Sequence, residues 1–153
     1  MSYLSHFSSH PLARHHTAFK RVFLYHAVTR FVCIKYTRSL TSDPLSIVAF
    51  SVSDYASCRD TRRSVSGSAF MLNGCAISWL SKKPQSVASS TTEAEYMALA
   101  TTSRQAVWYL NAFTQLSYTI PIMIIADNTS SINVAEKPIY NPRTKHIDVA
   151  YHV

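Results

Sequence analysis

Apolar and polar positions change rhythm along the chain, and each rhythm predicts an element. In "ARHHTAFKRVFLYHAV", Ala18, Val22, Tyr25 and Ala27 or Val28 recur at roughly helical spacing, so a helix is expected there. "TRSLTSDP", Thr37 to Pro44, is polar and ends in Asp-Pro; it reads as a boundary between segments 1–44 and 45–153. "LSIVAFSVSD" then predicts a strand from about Ser46 to Ser53. In "SAFMLNGCAISWL", Asn73-Gly74 separates two apolar runs; both positions of such a turn need positive φ, which predicts a hairpin. "SSTTEAEYMALA" opens a long helix, about Thr91 to Phe113, with Ser90, Thr91 or Thr92 as its cap. "IPIMIIAD" is a continuous apolar run, as in an interior strand covered on both faces, and "NTSSINVA" begins another helix. The order βββ-α-β-α predicts an α/β fold built on a mixed sheet.

Inside the long helix, at about 100° per residue, Glu95 shares a stripe with Leu99, Ala106, Leu110 and Phe113, while Glu93 points almost the opposite way. A carboxylate in line with an apolar stripe is costly unless something pairs with it. Asp127 ends an apolar strand just before a helix, at the edge where open α/β sheets gather ligands. Together the two acids suit one divalent cation, which takes oxygen ligands. A plainer arrangement fits as well: Asp127 caps the next helix, and Glu95 pairs with an Arg or Lys.

Composition narrows the partners. The 153 residues are 47% hydrophobic and 15% charged, enough for one domain with a real core. Fifteen Lys and Arg against eight Asp and Glu give a net charge of +7, which suits a polyanion, nucleic acid before membrane. Arg62, Arg63, Lys82, Lys83, Arg143 and Lys145 are candidates for a phosphate-tracking surface, or else solvated loop charges. Cys33, Cys58 and Cys75 form no CxxC pair, so neither a disulfide framework nor a zinc site is expected, and the cytoplasm or nucleus is the expected compartment. No membrane association is expected: the apolar run "VFLYHAVTRFVCI" contains His26 and Arg30 and is too short to span a bilayer, and the N-terminus lacks a signal peptide's pattern. His6, His10, His15 and His16 include a His-x₃-His spacing, but no acid or Cys completes a metal set. Trp79, Trp108 and Tyr109 are expected in the core. No GxSxG, Walker or GxGxxG pattern is present.

Three stretches carry a family likeness: "HPLARHHTAFKRVFLYHAVTRF", "DTRRSVSGSAFMLNGCAISWLSKKPQSVASSTTEAEYMALA" and "ADNTSSINVAEKPIYNPRTKHIDVAYH". The chain resembles the ribonuclease H region of Ty1/copia-type retrotransposon polyproteins, preceded by a stretch similar to the tail of the reverse transcriptase. That resemblance implies a ribonuclease H-like mixed sheet of order 3-2-1-4-5 with flanking helices. It also implies four carboxylates holding two Mg²⁺ ions that cleave RNA in RNA–DNA hybrids, recognised by shape and the 2′-hydroxyl. Glu95 matches the family's helix glutamate and Asp127 its fourth-strand aspartate, so both are implied as catalytic metal ligands.

Two departures follow from the same comparison. Set against a family motif like "YSDADWAG", "FSVSDYAS" puts Val52 at the position of the first metal ligand and Asp54 at the second, non-ligating Asp. Asp54 lies roughly 6.5 to 7 Å further along the same face of the strand. Paired catalytic metals sit only about 3.5 to 4 Å apart, so Asp54 is a poor substitute ligand. The fifth strand and the last carboxylate-bearing helix would follow "TKHIDVAYH", and the sequence stops at Val153. Asp148 is expected to be a solvated residue of the connecting helix. The expectation is a ribonuclease H-like domain, truncated before the fifth strand, that binds Mg²⁺ weakly and lacks activity. The alternatives are a non-catalytic module gripping nucleic acid or a reverse transcriptase partner, and a decayed element fragment. A fourth strand lacking its neighbour would leave an edge open to self-association.

Overall fold

Asn73 and Gly74 both take positive φ, 47° and 81°. The turn they form folds β2 (Val65–Leu72) back on β3 (Cys75–Lys82), as their sequence predicts. Asn73 also exchanges bonds with Ser46: its Oδ1 accepts from the Ser46 amide at 3.0 Å, and its own amide donates to the Ser46 carbonyl at 3.1 Å. The hairpin tip is thereby fastened to the entrance of β1 (Ile47–Asp54). A computed structural model describes residues 2–36, 45–58 and 61–136 of the chain. The chain divides into two compact units, residues 1–35 and 36–153.

In the second unit β1 pairs antiparallel with β2 and parallel with β4 (Ile122–Ala126), giving the order β3-β2-β1-β4. This is the mixed sheet expected, and its order agrees with the first four strands of a ribonuclease H-like sheet. α3 (Thr91–Gln115) is the crossover between β3 and β4, and α4 (Thr129–Glu136) follows β4. Ile47 and Ala49 of β1 meet Phe70, Ala106 and Ile120 in the core, with Tyr109, Phe113, Ile122 and Ile124 packed around them. The stripe on α3 runs through Ala98, Thr102, Ala106, Tyr109 and Phe113, in steps of three and four. Thr102 is tolerated there because its hydroxyl donates to the Ala98 carbonyl at 3.0 Å. Leu110, expected on the stripe, is 41% exposed; it lies one residue, about 100°, past Tyr109.

Strand alternation sends the remaining apolar side chains to the opposite face. Phe50, Val52, Met123 and Ile125 are all 42% exposed or more. The expectation that β4 is covered on both faces therefore fails among the described residues: Ile122 and Ile124 pack inward, while Met123 and Ile125 face out. Trp79 and Trp108 also leave the core expected of them, at 69% and 59% exposed. Trp79 sits opposite Ala69 on that outer face, and Trp108 is turned about 100° from Tyr109. Tyr109 does reach the core, its ring 5.2 Å from that of Phe70. Trp79, Ala69, Phe50 and Ile125 make a charge-free row across all four strands.

The first unit holds α1 (Ser2–Ser5) and α2 (Ala13–Val28), the latter over the very residues whose spacing predicts a helix. His15 closes the start of α2: its Nδ1 accepts from the Leu12 amide at 3.1 Å, and its ring stacks on Phe7 at 4.0 Å. Ala18 and Val22 are half-buried, whereas Tyr25 and Val28 are exposed. His6 and His10 lie beyond the end of α1, so their spacing does not place them on one helix face. The 37–44 boundary, residues 137–153 with Arg143, Lys145 and Asp148, and any fifth strand fall outside the described residues.

Phe70, 1% exposed, sits at the centre of this packing, and Phe70→Ala is expected to cost about 3–5 kcal/mol. Trp79→Ser should stay within about 0.5 kcal/mol of the parent despite the larger side chain removed. Urea unfolding of the two variants checks the assignment of inner and outer faces.

Candidate functional site

The start of α3 shows why the two glutamates behave differently. Ser90 is extended, with φ −148° and ψ 163°, and its side chain accepts from the Glu93 amide at 3.1 Å; of the three possible caps it is the one used. Glu93 turns back on this cap, its Oε2 accepting from the Ser89 amide at 2.7 Å and from the Ser89 hydroxyl. It is buried rather than solvated, and it serves the helix terminus.

Glu95, two residues on, reaches the sheet. Its Oε1 accepts from the Ser53 amide at 3.0 Å, near the end of β1. The partner that makes its burial tolerable is thus a strand backbone, not the Arg or Lys of the plainer reading. Glu95 Oε2 is buried with no hydrogen-bond partner, as are the hydroxyls of Ser51 and Ser53 on β1 and Ser66 on β2. Burial raises the Glu95 carboxyl above its ordinary value of 4.5; the Ser53 bond works against this, and the charge of Asp127 adds to it.

Asp127 follows β4 directly and is exposed. It is not the cap of α4. That work belongs to Asn128, whose Oδ1 accepts from the Ser131 amide at 3.0 Å and whose carbonyl accepts from the Ser131 hydroxyl at 2.7 Å. Asp127 is therefore available at the sheet edge, within electrostatic reach of Glu95.

Asp54 is not brought to this pair. Ser51 is buried on the α3 side of β1, so Val52 alternates to the outer face, where its Cγ1 lies 3.1 Å from the point a Cβ on Gly67 would occupy. Asp54 shares the Val52 side of the strand and is exposed. Among the described residues no group of three or more His, Cys, Asp or Glu stands close enough to hold a metal ion. Two acids and a set of hydroxyls do not fit a pair of divalent cations. The hydroxyl set is the part that motif reasoning misses; its signal is the change along one strand face from Ile47 and Ala49 to Ser51 and Ser53.

Four of the six candidate cations lie at the same end of the sheet. Ser53 pairs with Ser66 and Ser66 with Lys82, so one row runs from the Glu95 contact to the end of β3. The Cys58 amide donates to the Arg63 carbonyl at 3.2 Å, and the Arg62 amide donates to the Cys58 carbonyl at 2.7 Å. Arg62 has a φ of 53°, uncommon outside glycine. The turn carrying both arginines is linked to β3, since Lys83 Nζ donates to Cys58 Sγ at 2.9 Å.

Known proteins resemble this chain over most of its length. It is 35% identical over 150 residues to the retrovirus-related Pol polyprotein from transposon TNT 1-94 of Nicotiana tabacum, covering 97% of this chain and 11% of that one. It is 36% identical over 151 residues to the retrovirus-related Pol polyprotein from transposon RE1 of Arabidopsis thaliana, covering 97% of this chain and 10% of that one. A shorter match, 44% over 105 residues, is to the secreted RxLR effector protein 161 of Plasmopara viticola; it covers 69% of this chain and 72% of that protein. The chain thus spans about a tenth of the length of the Pol polyproteins it matches. No family model and no solved structure matches it.

The raised Glu95 pKa has a definite sign in stability. Between 4.5 and the folded value the native state holds this proton more tightly than the unfolded chain does, so stability falls as pH rises through that window and then levels. Glu95→Gln keeps an acceptor for the Ser53 amide and removes the charge. Denaturant midpoints measured across the window are expected to lose this fall, leaving the variant the more stable protein at neutral pH.

Proposed function

The chain belongs to the copia-type retrotransposon Pol polyproteins, as a segment about a tenth of their length, and on that premise we propose that it is a ribonuclease H-like region that holds nucleic acid without cutting it. One observation carries the reading: Glu95, at the family's helix position, is held by a strand amide, with Asp127 in electrostatic reach and no third acid grouped with the two among the described residues. Val52 stands where the first ligand would be, and its side chain belongs to the other face of the sheet.

Charge supports the loss of cleavage. Glu95 and Asp127 together offer about −2 against as much as +4 from two divalent ions, and Mg²⁺ gives up its water reluctantly without a near-octahedral oxygen cage. The hydrolytic step needs both ions, one at the attacking water and one at the leaving oxygen. Binding makes no such demand. Arg62, Arg63 and Lys82 gather at the sheet end that bears Glu95, and a cationic surface of this kind engages a phosphate backbone independently of sequence.

A labelled RNA–DNA hybrid incubated with the protein and Mg²⁺ or Mn²⁺ is expected to stay intact. Cleavage that disappears in Glu95→Gln would overturn the catalytic half of the proposal. In a gel shift the same hybrid should bind with an affinity that falls steeply with added salt, and Arg62→Glu with Arg63→Glu should weaken it roughly tenfold or more. Unchanged binding by that double variant would remove the other half.

A further inference from the structure

We propose that Lys83 is a positioning residue, a strut that aims the Arg62–Arg63 turn, and not itself a phosphate contact; this rests on the nucleic-acid reading above. The ammonium of Lys83 lies 2.9 Å from Cys58 Sγ. Cys58 is 9% exposed, so the lysine head is drawn toward the protein while Lys82, its neighbour, stays exposed on β3. A charge turned inward in this way is poorly placed to follow a phosphate backbone, whereas Lys82 keeps that freedom.

What Lys83 grips is the hub of the turn. Cys58 accepts through its carbonyl from the Arg62 amide and donates through its amide to the Arg63 carbonyl. Both arginines therefore take their backbone position from this one residue. The turn also carries strain to be contained: Arg62 and Ala56 sit at φ 53° and 50°, a region that residues other than glycine uncommonly adopt. Ser64 fastens the other side, its hydroxyl accepting from the Ala56 amide at 3.2 Å. The Lys83–Cys58 contact adds a link from this turn, which leads from β1 to β2, to the end of β3 on the far side of β2.

Cys58→Ala separates a strut from a phosphate contact, because it changes no charge on the cationic surface. If Lys83 positions the turn, Cys58→Ala weakens hybrid binding several-fold, Lys83→Met weakens it comparably, and the double variant is no worse than either, as for residues acting as one unit. Cys58→Ser, which keeps a partner for the ammonium, restores part of the loss. If Lys83 touches phosphate directly, Cys58→Ala leaves affinity unchanged or improved, and Lys83→Met lowers the salt slope by about one; that result overturns the proposal. A second readout needs no nucleic acid: hydrogen exchange at the Cys58 and Arg62 amides, which hold the turn, followed by mass spectrometry. Exchange is expected to quicken in Lys83→Met and in Cys58→Ala, and unchanged exchange in both denies the strut. If the parent protein binds no hybrid while exchange does quicken, the strut stands and the nucleic-acid reading fails, taking the aiming of phosphate contacts with it.

Discussion

The second unit is organised around a single bond, from the Ser53 amide to Glu95 Oε1. It joins the first turns of the long helix to the end of β1, and so sets where α3 lies along the sheet. Further along the same helix, Ala98, Thr102 and Ala106 present small side chains that let it approach β1 closely. Small residues give proximity but little directional preference. The buried carboxylate supplies direction, because displacing it by one turn would strand an acid against apolar strand residues.

This dependence makes the composition of the pocket informative. A site built for paired cations concentrates acids and tolerates their repulsion because metal charge offsets it. Here one acid takes a strand amide, its neighbour Asp127 stays at the solvent edge, and the residue between Ser51 and Ser53 on the strand is turned to the other side. Such a pocket suits a carboxyl that reads its surroundings through burial more than through ionic partners. The Ser90 cap and the Glu93 turn-back do the same work locally, satisfying the helix terminus without drawing on Glu95.

Much of this was legible in the sequence where the local chemistry has one solution. Asn73-Gly74 demands a two-residue turn, "SSTTEAE" announces a helix start, and an apolar run ending in Asp-Asn marks a strand edge entering a helix. Legibility ended where tertiary context chooses between equivalent local options. Ser90, Thr91 and Thr92 are interchangeable as caps until one backbone is extended. Asp127 and Asn128 are both good caps, and only the chain direction leaving β4 selects the second. The apolar content of β4 says nothing about how many faces are covered, so in sequence Met123 and Ile125 are indistinguishable from interior residues. Leu110 and Tyr109 differ by a single position, and helix pitch decided between them. The Cys58–Lys83 contact spans 25 residues and leaves no periodic trace at all.

The uncharged row from Trp79 to Ile125 carries a colloidal consequence. Two copies of a molecule with seven excess positive charges repel one another over most of their outlines, but a strip of indole, phenyl and branched alkyl groups contributes nothing to that repulsion. Dissolved electrolyte shortens the reach of the repulsion without touching the attraction between wettable-poor surfaces. Solubility is then governed by ionic strength in reverse of the usual salting-in: dilute buffer keeps the molecules apart, and brine lets them meet grease to grease.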